Sequence, residues 1–220
     1  MDTELLDLIS RTRPTILEIL KDRGYTVDAY MNQSPEELAR MAIAAPQLLN
    51  ITVTGGGATE GTQTAPMERA HVLYWIEGTS VRLRLEGLLQ NMWDGEEEQY
   101  LAERDEVIVV LSEPFHEVFN LQAVKLWNRR KARISFFNIK NLVSNPKHHQ
   151  YVPPHRKLTA EEAETVMQRL HIRSKGEFPK IIYHVDMQAR VLGLVPGDLV
   201  EIRRPSPTSG EYVFYRVCAA

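Results

Sequence analysis

The chain has 220 residues, of which 43% are hydrophobic and 25% charged, with 12 glycines and 12 prolines. This composition is typical of a folded protein and excludes a chain that is disordered throughout. The 26 basic residues are outnumbered by 29 acidic ones. That balance excludes a histone-like protein, which holds nucleic acid through its overall positive charge.

Two further features limit the class of protein. No apolar run is longer than residues 107–111, which is far shorter than the ~20 residues of a membrane-spanning helix, and the N-terminus is too acidic for a secretory signal. We therefore expect a soluble protein with no membrane partner. The single cysteine, Cys218, excludes an internal disulfide and a multi-thiolate zinc site. It is consistent with a reducing compartment, either cytosol or nucleus.

Helices are expected at the start of the chain. Apolar residues in the range 5–20 recur at helical spacing, and Gly24 follows as a helix stop. A second helix should begin at the N-cap Ser34, with Pro35 in its first helical position, and should end before Pro46. The chain therefore opens with a pair of helices.

A glycine- and threonine-rich segment, residues 51–66, follows the second helix. Its composition predicts an exposed, mobile loop. Its three consecutive glycines do not form a phosphate-binding loop, because no Lys-Ser or Lys-Thr follows them.

The rest of the first half alternates strands and helices. Residues 81–92 fit either a strand or a helix, and their length favours a helix. Strands are predicted over 71–76, 107–111 and 134–139, and a further helix over 114–131. The order helix, helix, strand, helix, strand, helix, strand predicts a small α/β domain.

A nuclease active site is a natural alternative for such a domain. It needs a metal-binding acid two residues before a lysine, but Ala123 and Asn138 stand two residues before Lys125 and Lys140. A divalent cation would therefore lack oxygen ligands. The acidic residues within 94–106 predict a solvated face rather than a metal site.

Two other groups of polar residues carry no specific assignment. Basic residues near the end of the helix over 114–131 either contact a phosphate backbone or compensate the helix dipole, and the sequence does not decide between these readings. They are Lys125, Arg129, Arg130, Lys131 and Arg133. The seven histidines show no metal-ligand spacing, so structural or solvent roles are expected.

A domain boundary is predicted between residues 142 and 153, where a polar segment carries three prolines. The halves differ in charge: 15 basic minus 21 acidic residues gives −6 for residues 1–142, and 11 minus 8 gives +3 for 143–220. We expect one domain on each side.

The second half predicts a small α+β domain. Thr159 and Glu162 form a capping box before an amphipathic helix. Strands are expected over 181–185, 199–203 and 212–217, with a hairpin turn over 205–210 between the last two.

Several motifs of this half occur in one order and resemble a known family. They are H-x-x-V-P-x-H at 149–155, L-T-x-E-E at 158–162, F-P-K-I at 178–181, L-G-L-x-x-G-D-L-V-x-I at 192–202 and R-P-S-x-T-S-G-x-Y-x-x-Y-R-V at 204–217. Together they resemble the C-terminal assembly domain of RNA polymerase subunit five, which eukaryotic polymerases I, II and III share and which has a smaller counterpart in archaeal RNA polymerase. The first half resembles that subunit's eukaryotic jaw domain more loosely, through K-D-R-G-Y at 21–25.

The resemblance implies a fold and a function. The fold is an α/β N-terminal jaw domain, similar to a nuclease without its active site, followed by a small α+β assembly domain. The function is that of a non-catalytic subunit without cofactor, metal or catalytic residues, in a eukaryotic nucleus or, for a viral version, a virion or viral factory. The alternative is an independent nucleic-acid enzyme of nuclease type, which the missing acid-x-Lys pair disfavours.

The resemblance also implies partners and sites. The partners are the largest polymerase subunit, other polymerase subunits and downstream DNA in the assembled enzyme. The expected DNA-proximal residues are Pro114, Phe115, Lys125, Arg129 and Arg130. The expected interface residues are Pro153, His155, Arg204, Ser206, Thr208, Gly210, Tyr212, Tyr215 and Arg216. For the arginines and tyrosines of this set, ordinary strand alternation is the alternative reading.

The chain departs from the family pattern in two places. Residues 186–191 replace the family's Asp-Pro-Val-Ala segment, and residues 112–115 shorten its Thr-Pro-Ser-Ala turn near downstream DNA.

Overall fold

The computed structural model describes residues 3–55, 68–76, 80–94, 105–114 and 116–220. They form a mixed α/β protein with two four-stranded sheets. In these ranges no helix combines the length and the hydropathy needed to cross a membrane.

The two predicted N-terminal helices are confirmed. The first, α1, spans Thr3–Asp22, and Gly24 follows it with φ of 88°. The second, α2, spans Pro35–Ala44, and the Ser34 hydroxyl accepts a hydrogen bond of 3.2 Å from the amide of Glu37. Local chemistry satisfies the terminal groups at the end of α1 and at both ends of α2.

The first sheet contains three of the predicted strands and one unpredicted strand. The strands are β1 (Ile51–Thr54), β2 (Arg69–Trp75), β3 (Asp105–Leu111) and β4 (Arg133–Asn138), in the order β1-β2-β3-β4. β1 is antiparallel to β2, whereas β2, β3 and β4 are parallel.

The prediction of a loop over residues 51–66 is wrong at its start. Ile51 and Val53 are buried in β1, while Thr52 and Thr54 alternate with them on the exposed side. The alternation is short and its polar members are threonines, so glycine content dominated the prediction. Residues 56–66 lie outside the described residues.

Helices cover both faces of this sheet. α3 (Leu85–Asp94) confirms the helical reading of residues 81–92, and α4 (Glu117–Arg130) confirms the helix expected over 114–131. α1 and α2 pack on one face and α3 and α4 on the other, so that every residue of β3 is buried. A parallel strand covered on both faces is expected to be continuously apolar, as residues 107–111 are.

The second sheet lies in the C-terminal half. Its strands are β5 (His155–Lys157), β6 (Lys180–Ile182), β7 (Leu199–Ser206) and β8 (Gly210–Ala219), in the order β5-β7-β8-β6. The hairpin of β7 and β8 is confirmed, with Ser206 opposite Gly210 at its end. The strand expected over 181–185 ends at Ile182, because the chain turns there through His184 at φ of 67°.

Two helices complete the C-terminal half. α5 (Ala160–Arg169) has the predicted capping box, in which Thr159 and Glu162 bond to each other's backbone amides. A short helix, α6 (Met187–Val191), was not predicted; Asp186 accepts hydrogen bonds from the amides of Gln188 and Ala189 at its start.

The second sheet is packed between α5 and the first half of the chain. On one face Leu199, Tyr215 and Val217 pack on α5. On the other face Ile181, Val200, Ile202 and Cys218 share a continuous apolar cluster with residues of β3, β4 and α4. The polar segment at 142–153 therefore joins two halves that bury a common core.

The Cys218 thiol should react only when the structure opens. The side chain is 2% exposed, and burial raises the pKa of its thiol to about 12, so it is neither accessible nor ionised at neutral pH. With a thiol-specific chromogenic reagent, we expect the native protein to react slowly and the protein in denaturant to react at once. A Gln168→Cys variant, with a thiol on the exposed side of α5, should react rapidly in the native state. Equal rapid reaction of the native parent protein would contradict the described packing.

Candidate functional sites

A buried ionic cluster lies where the two halves meet. It consists of the Glu106 carboxylate on β3, the guanidinium groups of Arg23 and Arg133, and the Tyr25 hydroxyl. Arg23 pairs with Oε1 of Glu106 and Arg133 with Oε2, while Tyr25 donates a hydrogen bond of 2.8 Å to Oε2. Glu106 is fully buried, and Arg23 and Arg133 are 2% and 3% exposed. We call these four residues the arginine cluster.

Local sequence positions each member of the arginine cluster. Arg23 follows the last residue of α1, and the left-handed Gly24 turns the chain so that Tyr25 also points toward Glu106. Glu106 and Arg133 are direct neighbours on the parallel strands β3 and β4, so their side chains leave the sheet on one face. The K-D-R-G-Y motif thus supplies two of the four residues.

Electrostatics keeps the cluster ionised. Burial alone would raise the pKa of Glu106, but the guanidinium groups of Arg133 and Arg23 outweigh it and hold the pKa below its usual value. Burial, together with the carboxylate, raises the pKa of the Tyr25 hydroxyl, so Tyr25 remains a neutral donor.

Two predictions about surface charge are corrected here. Of the acidic residues at 94–106, for which a solvated face is predicted, Asp105 and Glu106 are fully buried, and those at 96–98 and 103 lie outside the described residues. Asp105 accepts two hydrogen bonds from Arg69, of 3.1 and 2.8 Å, and lies 3.4 Å from His71. Arg133 was grouped with the surface cations of α4, whereas it belongs to the arginine cluster. Buried charges of this kind require partners from distant segments, which local spacing does not reveal.

The arginine cluster also reaches across to the C-terminal half. Nε of Arg23 donates to the carbonyl of Val191 at 3.1 Å, and its Nη2 donates to the carbonyl of Arg190. Nη1 of Arg133 donates to the carbonyl of Gly193 at 2.7 Å. Cations thus bond to carbonyl groups at and just after the end of α6, and the Arg190 carbonyl also accepts a hydrogen bond of 3.1 Å from the Gly193 amide.

The C-terminal half makes the reverse contacts. Nη1 of Arg190 donates to the carbonyl of Phe136 at 2.7 Å, and Nε2 of His184 bonds to the carbonyl of Ile134. Burial, and then repulsion by Arg190, lowers the pKa of His184 to about 3. The ring is therefore neutral at physiological pH, and its single hydrogen lies on Nε2, because a carbonyl oxygen can only accept.

Three of the five expected DNA-proximal residues line a basic groove. Lys125, Arg129 and Arg130 line a groove of about 170 Å³ between α3 and α4, opposite Glu86. Lys125 and Arg129 are exposed and Arg130 is half-buried. Pro114 is exposed after β3, and Phe115 lies outside the described residues. The structure therefore brings the three cations together on one surface.

The expected interface residues gather around the β7–β8 hairpin. Arg204 and Tyr212 are cross-strand neighbours and both are exposed. Tyr212 stacks on Phe214 with ring centroids 6.0 Å apart, and the Arg216 guanidinium lies 5.9 Å from the Phe214 ring centre. Sequence reasoning missed Phe214; the alternation of residues 212, 214 and 216 is the signal that could have found it.

The remaining interface residues lie at the two ends of this surface. Ser206 and Gly210 close the hairpin, and Thr208 is exposed at its tip. His155 is opposite Ile202 on β7, and its Nδ1 lies 2.6 Å from the Pro153 carbonyl. Gly210 has φ of 74°, a conformation that favours glycine.

Tyr215 occupies the opposite face of the sheet. It packs against α5, and its hydroxyl accepts a hydrogen bond of 2.7 Å from Arg169. The same hydroxyl lies 3.4 Å from the Glu201 carboxylate. Tyr215 therefore belongs to the apolar core between α5 and the second sheet, whereas Tyr212 is exposed on the other face of the hairpin.

These surfaces define a class of protein. In the described ranges no group of three or more histidine, cysteine, aspartate or glutamate side chains could hold a metal ion. The described surfaces instead include an arginine–aromatic hairpin and a basic groove, both typical of contacts with other macromolecules. The fold is that of a two-sheet α/β protein, and these two surfaces are its candidate contact sites.

Comparisons with known proteins identify the assembly. A family model described as RNA polymerase Rpb5, C-terminal domain, matches residues 144–218. The chain is 26% identical over 215 residues to a subunit of DNA-directed RNA polymerases I, II and III from Dictyostelium discoideum, covering 98% of this chain and 99% of the relative.

Archaeal relatives match about a third of the chain. The chain is 46% identical over 72 residues to DNA-directed RNA polymerase subunit Rpo5 of Aeropyrum pernix, covering 33% of this chain and 78% of that protein. The corresponding match to Rpo5 of Thermococcus kodakarensis is 42% over 69 residues, 31% of this chain and 82% of the relative. The chain belongs to the RNA polymerase subunit Rpb5/Rpo5 family and is a subunit of a multisubunit DNA-directed RNA polymerase, which confirms the predicted resemblance.

Neutralising Glu106 should destabilise the protein strongly. Glu106→Gln leaves two buried guanidinium groups without a counter-ion, so we expect the free energy of unfolding at pH 7 to fall by ~3–5 kcal/mol. The exposed control Glu37→Gln should change it by less than about 0.5 kcal/mol. Chemical denaturation measures both.

The difference between the parent protein and Glu106→Gln should depend on pH. Folding lowers the pKa of Glu106 from its ordinary value of 4.5. The stabilisation is therefore complete above that value and is lost as the pH falls toward the folded-state pKa. A difference that stays constant from pH 7 to pH 3 would contradict the assignment.

Proposed function

We propose that this chain is a non-catalytic subunit shared by nuclear RNA polymerases. In this proposal residues 143–220 dock on the largest subunit, and residues 1–142 form a jaw domain near downstream DNA. The jaw domain has a nuclease-like fold without catalytic residues. The observation that carries the proposal is the exposed Arg204–Tyr212 pair on the β7–β8 hairpin.

The division into two domains is supported by the comparisons. The family model match begins at residue 144, one residue into the proposed C-terminal domain, and the archaeal match of 72 residues is close to the length of that region. Each half has its own sheet. The N-terminal domain is then an addition that packs on the face of the second sheet opposite α5.

The hairpin is suited to docking because it combines exposed and fixed groups. Arg204 and Tyr212 project from paired strands, and Phe214 and Arg216 extend the surface toward the sheet. Nη1 of Arg216 also donates 2.8 Å to the Lys180 carbonyl, which fixes its guanidinium. Arginine and tyrosine held in this way lose little conformational freedom on binding, so they are typical of interface hot spots.

An independent nuclease is not supported. The relatives are named as polymerase subunits. The sequence lacks the acid-x-Lys pair, and Glu106, one of two buried carboxylates on β3, is bonded to two arginines and a tyrosine. A carboxylate whose oxygens are committed in this way is a poor metal ligand.

The nuclear assignment and the shared role come from the eukaryotic relative. The Dictyostelium protein is named for polymerases I, II and III and aligns over nearly the whole chain. Proximity to DNA is supported by the basic groove on α4, since Lys125, Arg129 and Arg130 together offset locally the −6 charge of residues 1–142.

Removing the exposed hairpin pair should release the subunit from the polymerase. Each hot-spot side chain contributes ~2–4 kcal/mol, so Arg204→Ala combined with Tyr212→Ala should weaken binding at least ~30-fold. The control is Arg40→Ala with Ile43→Ala, an exposed cation and an exposed apolar residue on α2. Co-purification with the largest subunit in high salt measures the effect, and circular dichroism reports folding. A folded double variant that co-purifies at parental stoichiometry would place the interface elsewhere.

The basic groove should meet DNA only inside the assembled enzyme. The free chain carries a net charge of −3, so we expect its DNA affinity at physiological salt to be weaker than about 1 μM. A photo-crosslinking side chain at position 129 should label downstream DNA in the complete polymerase, and one at position 40 should not. Submicromolar binding by the free chain, or labelling from both positions alike, would refute this placement.

A further inference from the structure

The arginine cluster does more than neutralise buried charge. We propose that it is a positioning device, which holds the N-terminal and C-terminal halves in one fixed relative orientation. Within the cluster the positioning residues are Arg23 and Arg133, and Arg190 and His184 of the C-terminal half assist them through the reverse contacts.

The first set of contacts joins Arg23 and Arg133 to backbone carbonyls at and just after the end of α6. The guanidinium group is planar, and its donors point in fixed directions. Arg23 directs one nitrogen to Glu106 and the other two to the carbonyls of Arg190 and Val191. Arg133 does the same with Glu106 and the Gly193 carbonyl. Glu106 thereby fixes both arginines in the N-terminal half while they hold three carbonyl groups of the C-terminal half.

The second set of contacts runs in the opposite direction. β4 ends the described sheet, and Ile134 and Phe136 are two residues apart on it, so their carbonyls point the same way. His184 bonds to the first carbonyl and Arg190 to the second. Side chains of the C-terminal half thus occupy the positions that a neighbouring strand would take.

The apolar interface between the two halves contains no directional contacts of its own, because apolar burial does not depend on orientation. Burial of the apolar cluster shared by β4 and the second sheet favours contact but tolerates many angles. If the halves rotated while still packed, these donors and carbonyls would lose their partners inside a low-dielectric interior. Each loss carries the full desolvation cost of the group, which is larger for charged groups. The arginine cluster therefore selects one orientation among the packed ones.

Gly193 makes the close approach possible. It has φ of 62°, and a Cβ there would lie 3.0 Å from Nη1 of Arg133 and 3.1 Å from Cζ of Arg23. Gly197 follows in the same connection with φ of 96°, but nothing lies within 4 Å of its Cβ position. Alanine would strain the backbone at both positions and would displace the arginines only at Gly193. The chain thus contains its own matched control.

The fixed orientation affects transcription only if the proposed docking is correct. If the hairpin binds the largest subunit, a fixed orientation between the halves decides where the basic groove on α4 lies. The orientation itself does not depend on docking and can be measured in the free chain.

Pulsed electron–electron resonance between two spin labels tests the proposal. The labels are placed at Arg40→Cys on α2 and Gln168→Cys on α5, both exposed positions, and the buried Cys218 stays unlabelled. We expect one narrow distance distribution in the parent protein and in Gly197→Ala. In Gly193→Ala we expect a shifted or second distance.

A second variant separates orientation from stability. Arg23→Lys retains the positive charge but cannot reach Glu106 and two carbonyls together, so it should also broaden the distribution. All measurements are made well below the thermal midpoint of each variant, where loss of stability alone leaves the distance unchanged. If Gly193→Ala does not fold, Arg23→Lys decides the outcome. Parental distances in a folded Gly193→Ala and in Arg23→Lys would overturn the proposal, whatever the docking experiment shows.

Discussion

Glu106 is one carboxylate between two buried guanidinium groups, and both halves of the protein depend on it. Without it, Arg23 and Arg133 would be uncompensated charges in the core, and burial would favour separation of the halves. With it, the two arginines are oriented and their remaining donors reach α6. Arg23 and Arg133 compensate the buried carboxylate and also bond to the carbonyls near α6. Folding of β3 and β4 is therefore coupled to packing of the C-terminal half.

The parts of the fold that were predictable are those set by neighbouring residues. The capping box of α5, the start of α2 at Ser34 and the β7–β8 hairpin each follow from chemistry within a few positions, and the structure confirms all three. The strand β1 was missed because only Ile51 and Val53 carry its alternation. Glu106 and Arg133 were read as surface charges because their pairing joins positions 27 residues apart. Only the fold can supply that information.

For the candidate surfaces too, the sequence predicts which residues are involved, and the fold decides where their side chains lie. The motif at 204–217 predicts the hairpin residues, but strand pairing decides which of them are exposed. Tyr212, Phe214 and Arg216 share one face, while Tyr215 joins α5 on the other. The motif at 21–25 indicates a family resemblance, but its spacing predicts no role for its residues. Its arginine and tyrosine act on Glu106, more than 80 residues further along the chain.

The carbonyls on the open edge of β4 are bonded by side chains that are synthesised much later than the strand, those of His184 and Arg190. An edge strand with open carbonyls is a template for pairing with another chain, and here the cover is two side chains rather than a strand. β4 is complete at residue 138, whereas Arg190 is made 52 residues later. At ~5–20 residues per second this delay lasts about 3–10 s. During that interval we expect a nascent chain to present an uncovered sheet edge that is available for pairing with another chain.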